Sequence, residues 1–150
     1  MQPFYFAYGS NMSTPRLRER IPEAEPAGAA WVDGYRLTCN KLGKDGSGKA
    51  NLVPSAGDAA WGVLFSGFAD TAWTSLDRFE WGYSRASCRV LTAEGQHVEA
   101  RLYLALEPAE HEIPPFDWYR SHCLSGAVEH RLPEPVIETI RQWTVAPGAL

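Results

Sequence analysis

The residues of this chain that could do chemistry cluster in two places. The first is Glu80, at the end of a segment, Thr71–Glu80, in which Trp73, Leu76 and Glu80 recur at helical spacing. That spacing puts all three on one face of a helix, the apolar one. Phe79 and Trp81 flank the acid. A carboxylate that ends an apolar stripe among aromatics is partly desolvated, which disfavours its charged form and raises its pKa. A Glu tuned in this way serves as general base and then general acid near neutrality. The same pattern also fits a solvated Glu at a helix end. The second place is Tyr8-Gly9-Ser10-Asn11-Met12, where an aromatic run from Phe4 breaks into a turn. Gly9 has no side chain to block a ligand and can take backbone angles closed to other residues. Successive backbone N–H groups in such a turn form a concave nest for an anion or a developing negative charge. Gly-Ser-Asn is also ordinary turn chemistry, so a turn that merely rounds a corner is the competing reading.

Other chemistries find less support. The four histidines, His97, His111, His122 and His130, form no His-x-x-x-His pair, and His122 beside Cys123 is the nearest approach to a Cys/His cluster. The spacing therefore argues against a metal site. The glycines of Gly43–Gly48 lack the Gly-Lys-Ser/Thr ending and following helix of a phosphate loop. Ser10 lacks the Gly-x-Ser-x-Gly setting of a nucleophile elbow. Tyr103, inside the apolar run Leu102-Tyr103-Leu104, and Tyr119, in Trp118-Tyr119-Arg120, read on pattern as core or rim tyrosines with partnered hydroxyls. Asp77 reads as a capping or i,i+4 partner or an exposed charge, and Arg85 and Arg89 as surface charges on a strand edge.

The elements that position these residues follow from periodicity and turn chemistry. A strand over Phe4–Tyr8 precedes a short helix, Arg16–Arg20, capped by Ser13 or Thr14 with Pro15 in its first turn. Ile21–Pro26 reads as loop, and Ala29–Asn40 as a strand with a bulge or bend at Asp33-Gly34. Lys41–Lys49 reads as a mobile loop whose lysines are a solvated surface, although such a loop could close over a ligand. Ala50–Pro54 is a short strand stopped by proline, and Ala60–Phe65 a buried strand. Asp70 caps the helix that ends at Glu80. Cys88–Thr92 and Val98–Leu106 form a hairpin, and helices follow near Asp117–Ser125 and Pro135–Trp143. Strands lead and helices trail, which predicts an α+β fold: a small mixed sheet curled toward a barrel, with helices outside.

Composition bounds the possibilities. At 150 residues, 45% hydrophobic and 21% charged, the chain reads as a single domain, residues 1–150, able to bury its own core. A formal charge of −4 without a Lys/Arg cluster gives no support for nucleic-acid binding. No apolar run reaches the length of a membrane helix, and Met1-Gln2-Pro3 leads directly into the first strand, which predicts no signal peptide and no membrane partner. Cys39, Cys88 and Cys123 are odd in number and widely spaced, the pattern of free thiols in a reducing, cytoplasmic compartment.

Taken together, these segments resemble the γ-glutamylcyclotransferase superfamily, AIG2-like proteins included. Tyr8-Gly9-Ser10-Asn11 is similar to the family's Tyr-Gly-Ser-Asn signature. Further similarities follow in order: Ala50–Pro54 then Trp61–Phe65, Leu76-Asp77-Arg78-Phe79-Glu80, Arg101–Leu104, and Tyr119 to Gly126-Ala127 and Leu132-Pro133. The likeness spans about residues 4 to 143. It implies the family's fold and an enzyme that cyclises a γ-glutamyl group to 5-oxoproline and releases an amine or amino acid. It implies Glu80 as the catalytic carboxylate, Tyr8, Gly9, Ser10, Asn11 and Met12 as the substrate-binding loop, and Tyr103 and Tyr119 beside the same pocket. The nucleophile is the substrate's own amine, so neither metal nor cofactor is implied. The implied partner is a small γ-glutamyl molecule (a dipeptide, an amine, glutathione or a biosynthetic intermediate), and a homodimer is left open. A non-catalytic module that keeps the pocket is the alternative function. Many relatives carry Gly directly after the Glu; here Trp81 intervenes before Gly82.

Overall fold

The computed structural model describes residues 2–148; Met1, Ala149 and Leu150, part of the expected domain, lie outside the described residues. Five strands close into a barrel in the order β1-β3-β2-β4-β5. They are β1 (Phe4–Ala7), β2 (Glu25–Leu42), β3 (Gly48–Ser66), β4 (Tyr83–Thr92) and β5 (His97–Ala105). Around them lie α1 (Thr14–Arg20), α2 (Asp70–Phe79), α3 (Asp117–Glu129) and α4 (Glu134–Arg141), with a single 3-10 turn at Ser10–Met12. The barrel-like α+β architecture is the one expected.

β1 makes the closure. It runs antiparallel to β3, with Tyr5 opposite Phe65, and parallel to β5, with Phe4 opposite Ala100. Its residues Tyr5, Phe6 and Ala7 are all buried, and the Tyr5 ring stands 5.9 Å from that of Trp73 on α2. Strands buried on both faces lose the apolar/polar alternation and read as continuous apolar runs. At Gly62 on β3 an added Cβ would meet the Ala7 carbonyl oxygen at 2.4 Å and Phe6 Cζ at 2.7 Å. The β1–β3 seam is thus close-packed because position 62 has no side chain.

Several boundaries differ from expectation. Both β2 and β3 are much longer than predicted, because the two pair with each other from Glu25/Ser66 to Leu42/Gly48. The bend at Asp33-Gly34 is present as a register shift between Asp33 and Tyr35. Pro54 does not end its strand: the ladder resumes beyond that shift, with Asp33 opposite Ala59, and proline is tolerated at such an interruption because no ladder donor is required there. Lys41–Lys49 is not a loop throughout. Lys41 and Lys49 belong to strands, and the turn between them is held by Gly43 N–H to the Ser47 carbonyl at 2.8 Å and by Ser47 N–H to Asp45 Oδ1 at 3.0 Å. The cap of α2 is Ala69, and Asp70 is its first residue, favourably placed for the helix dipole. Ser13 caps α1, and α3 continues past Ser125 to Glu129. Among the described residues no helix is long and apolar enough to cross a membrane.

Candidate active site

One cavity, of about 280 Å³, opens where the end of β1, the 3-10 turn, the C-terminal end of α2 and the start of α3 converge. Trp73 and Leu76 of α2 are buried as the apolar stripe predicted. The helix stops at Phe79, one residue early, so Glu80 leaves it as a capping residue whose N–H bonds the Leu76 carbonyl at 3.1 Å. Its side chain is half-buried and lines the cavity. The Asn11 amide donates to Glu80 Oε1 at 3.1 Å and to the Tyr5 hydroxyl at 3.0 Å. Burial pushes the Glu80 carboxyl up to about 7, against the opposing pull of Arg20, Lys41, Arg16 and the Asn11 hydrogen bond. Its position among aromatics, not a helix-end solvation shell, sets that value.

The turn Tyr8–Met12 forms the opposite wall. Met12 N–H bonds the Gly9 carbonyl at 3.1 Å, closing one 3-10 turn. As in any helix start, the first N–H groups have no intrahelical acceptor; those of Ser10 and Asn11 have no protein partner among the described residues. Both residues line the cavity. Close approach is one reason for glycine at position 9. An added Cβ would stand 3.0 Å from Ala50 Cβ and 3.1 Å from the Tyr119 hydroxyl. Met12 is fully buried and lies behind the wall, not on it. It packs against α3, where a Cβ on Gly126 would come within 2.4 Å of the Met12 carbonyl carbon.

Tyr103 and Tyr119 both line the cavity. Tyr103 donates to Asp77 Oδ1 at 2.6 Å, and its own carbonyl accepts the Tyr8 hydroxyl. Burial, then the Asp77 bond, holds the Tyr103 phenol protonated far above neutrality. Tyr119 accepts the Ala50 N–H at 2.9 Å. Asp77, read from sequence as a capping or i,i+4 partner or an exposed charge, is exposed and in addition ties α2 to the barrel, with Arg85 of β4 at 3.7 Å on its other side.

A family model described as gamma-glutamyl cyclotransferase, AIG2-like, matches residues 5–120. The chain belongs to that family. Human gamma-glutamylcyclotransferase is 33% identical over 138 residues, which cover 86% of this chain and 72% of the human one. The mouse protein of the same name is 32% identical, covering 91% and 76% of the two chains. A solved structure named gamma-glutamyl cyclotransferase superposes with a TM-score of 0.90 at 27% identity, covering 99% of this chain and 91% of that one. YkqA of Bacillus subtilis shares the fold at 24% identity and a TM-score of 0.81, over 96% of this chain and 56% of its own.

In this γ-glutamylcyclotransferase family member the cavity also holds residues that sequence reasoning missed. Tyr5 and Tyr83 line it, as do Arg16 and Arg20 of α1 and Lys41 and Lys44 of the β2 end. The amphipathic register of α1 offered one signal, since Arg16 and Arg20 are four apart and share a face. For the lysines the signal was the second reading of Lys41–Lys49, a loop that could close over a ligand, set against a solvated surface; their burial waits on tertiary structure, which brings Trp81 against Lys41.

Proposed function

We propose that this chain is a γ-glutamylcyclotransferase-like enzyme, in which Glu80 moves the protons of an intramolecular cyclisation. The observation that carries the reading is a carboxyl tuned to about 7 and hydrogen-bonded to Asn11 of the Tyr-Gly-Ser-Asn turn inside the cavity. A group titrating there is ionised often enough to accept a proton and acidic enough to return it. The Glu80 carboxylate takes a proton from the substrate's α-ammonium. The freed amine attacks the γ-carbonyl carbon, forming a C–N bond that closes a five-membered lactam. Negative charge then develops on the carbonyl oxygen. The partnerless N–H groups of Ser10 and Asn11 suit that oxyanion or the substrate's α-carboxylate. Collapse breaks the bond to the leaving nitrogen, which receives the first proton from Glu80; the ring nitrogen then gives up its second proton through the same carboxylate, so that the lactam is neutral and the amine leaves as its ammonium. The products are 5-oxoproline and a free amine or amino acid. Tyr8, Gly9, Tyr103 and Tyr119 shape the cavity that folds the substrate toward this geometry, and Met12 supports the turn from behind.

The test is a panel of γ-glutamyl dipeptides, γ-glutamyl-lysine and glutathione assayed for 5-oxoproline, with Glu80→Gln beside the wild type. At least one substrate is cyclised, and Glu80→Gln lowers the turnover by about 10²-fold or more while calorimetry still detects binding. Binding by the wild type without product would instead mark a non-catalytic binding module.

A further inference from the structure

The cavity carries more positive charge than the γ-glutamyl group alone requires. Lys41 is 6% exposed, yet no carboxylate lies within ion-pair distance of it among the described residues. Arg16, Arg20 and Lys44 line the same cavity and are equally without an ion pair among the described residues. Lys49 differs, being matched by Asp45 at 3.1 Å. Burying a cation without a counter-ion is costly unless a ligand supplies one. The burial that disfavours the Lys41 charge lowers its pKa from the ordinary lysine value.

Lys41 is also built in. Its Nζ stands 4.4 Å from the centre of the Trp81 ring and 4.9 Å from that of Tyr83. Gly82 lies beneath it: an added Cβ would be 2.7 Å from Lys41 Cε, and the glycine's φ of +80 is itself unfavourable for other residues. Lys44 approaches Trp81 at 5.1 Å. Trp81 and Lys44 are exposed and Lys41 is buried, so these cations run from the cavity's interior to its mouth along the segment after Glu80. This is where Trp81 separates Glu80 from Gly82 in the sequence.

We propose that this cradle reads the leaving group, and that the preferred substrates are γ-glutamyl conjugates of a dicarboxylic amino acid, whose leaving amine carries two negative charges. The proposal rests on the cyclotransferase reading of the site. The γ-glutamyl unit brings one ammonium and one carboxylate, which cancel, and the Ser10 and Asn11 N–H groups already suit that carboxylate. The unpaired cations are therefore left for what is attached to the γ-carbonyl. The Glu80 carboxylate, which Arg20, Lys41 and Arg16 all favour, offsets one of these four cations; an uncharged leaving amine then leaves three unmatched, a monocarboxylate two, and a dicarboxylate comes nearest to balance. Converging cations in a cavity walled by aromatics also focus the field and speed capture of an anion.

The experiment measures initial rates on γ-glutamyl-glutamate, γ-glutamyl-alanine and γ-glutamyl-methylamide, which share the reacting unit and differ in leaving-group charge. We expect kcat/KM to fall in that order, by about tenfold from the first to the second, with the difference in KM and shrinking as salt is raised. Lys41→Met compresses the ratio between the first two substrates, and Lys41→Arg restores it. Using the ratio cancels any effect of the lysine on Glu80 itself. Lys44→Met, at an exposed position, compresses the ratio as well and covers the case in which Lys41→Met fails to fold. Equal kcat/KM on the three substrates, or equal losses on all of them in the variants, overturns the proposal and leaves the cyclotransferase intact. No 5-oxoproline from any of them overturns the function as well.

Discussion

At the residue scale the site is an electrostatic balance around one carboxyl. Burial raises the Glu80 pKa to about 7, and three cations and one amide hold it from going higher, Arg20 first among them. The proposed base is the ionised form, whose fraction grows as pH passes upward through that value. The rate of cyclisation is therefore expected to rise along an acid limb centred near 7, measured as kcat/KM against pH. Arg20→Gln removes the largest opposing charge, so its acid limb shifts to higher pH; an unmoved or lowered limb would separate Glu80 from the profile. The candidacy of Glu80 was readable in the sequence, because Trp73 and Leu76 at helical spacing point it to the apolar side. Its value was not, since Arg16, Arg20 and Lys41 reach it from elements distant along the chain.

The element scale explains how a short turn is held still. Only three residues form the 3-10 turn, too few to hold their own conformation without packing. α3 supplies that packing through Gly126, whose would-be Cβ meets Met12 Cβ at 2.5 Å and Ser13 N at 2.5 Å. Two effects oppose each other in Gly126→Ala. Helix propensity favours alanine by about 1 kcal/mol, whereas overpacking against backbone costs about 1–3 kcal/mol. The contacts are with backbone atoms and with a Cβ fixed to the backbone, none of which can swing aside, so overpacking wins. Gly126→Ala is expected to lower the urea midpoint and also kcat/KM, although Gly126 lies outside the cavity. Sequence alone places Gly126 in a helix; that it touches the signature turn more than a hundred residues earlier is decided by tertiary packing.

The whole molecule brings the two halves of the site together by closing a barrel. β1, which leads into the turn, pairs with β3 on one side and β5 on the other, while α2 leaves β3 and delivers Glu80 to the same end. Asn11 thus meets Glu80 across 69 positions of sequence. If closure is what registers the halves, loosening the β1–β3 seam should damage both stability and catalysis. Gly62→Ala inserts a methyl against the Ala7 carbonyl and the Phe6 ring. It is expected to destabilise by about 1–3 kcal/mol in urea unfolding and to reduce kcat/KM, with Glu80 and Asn11 unchanged. Wild-type activity in a folded Gly62→Ala protein would show that the site does not depend on that seam.

Much of this protein is written locally. Aromatic and β-branched runs specify β1 and the inner part of β3, the Trp73/Leu76 stripe specifies α2, and Tyr8–Asn11 with Leu76–Glu80 carries the family resemblance. These are short-range signals, set by side-chain period and turn chemistry. The extent of β2 and β3 was hidden, because Pro54 and the glycines near Lys41 punctuate the sequence while the long ladder bridges them. Hidden too was the environment of each charge. Asp77 became a tether only when Tyr103 arrived from β5, and Lys41 became a buried cation, with no carboxylate in ion-pair distance among the described residues, only when Trp81 and Tyr83 folded over it. Burial and pairing depend on which distant surfaces meet, and no local pattern of residues encodes that.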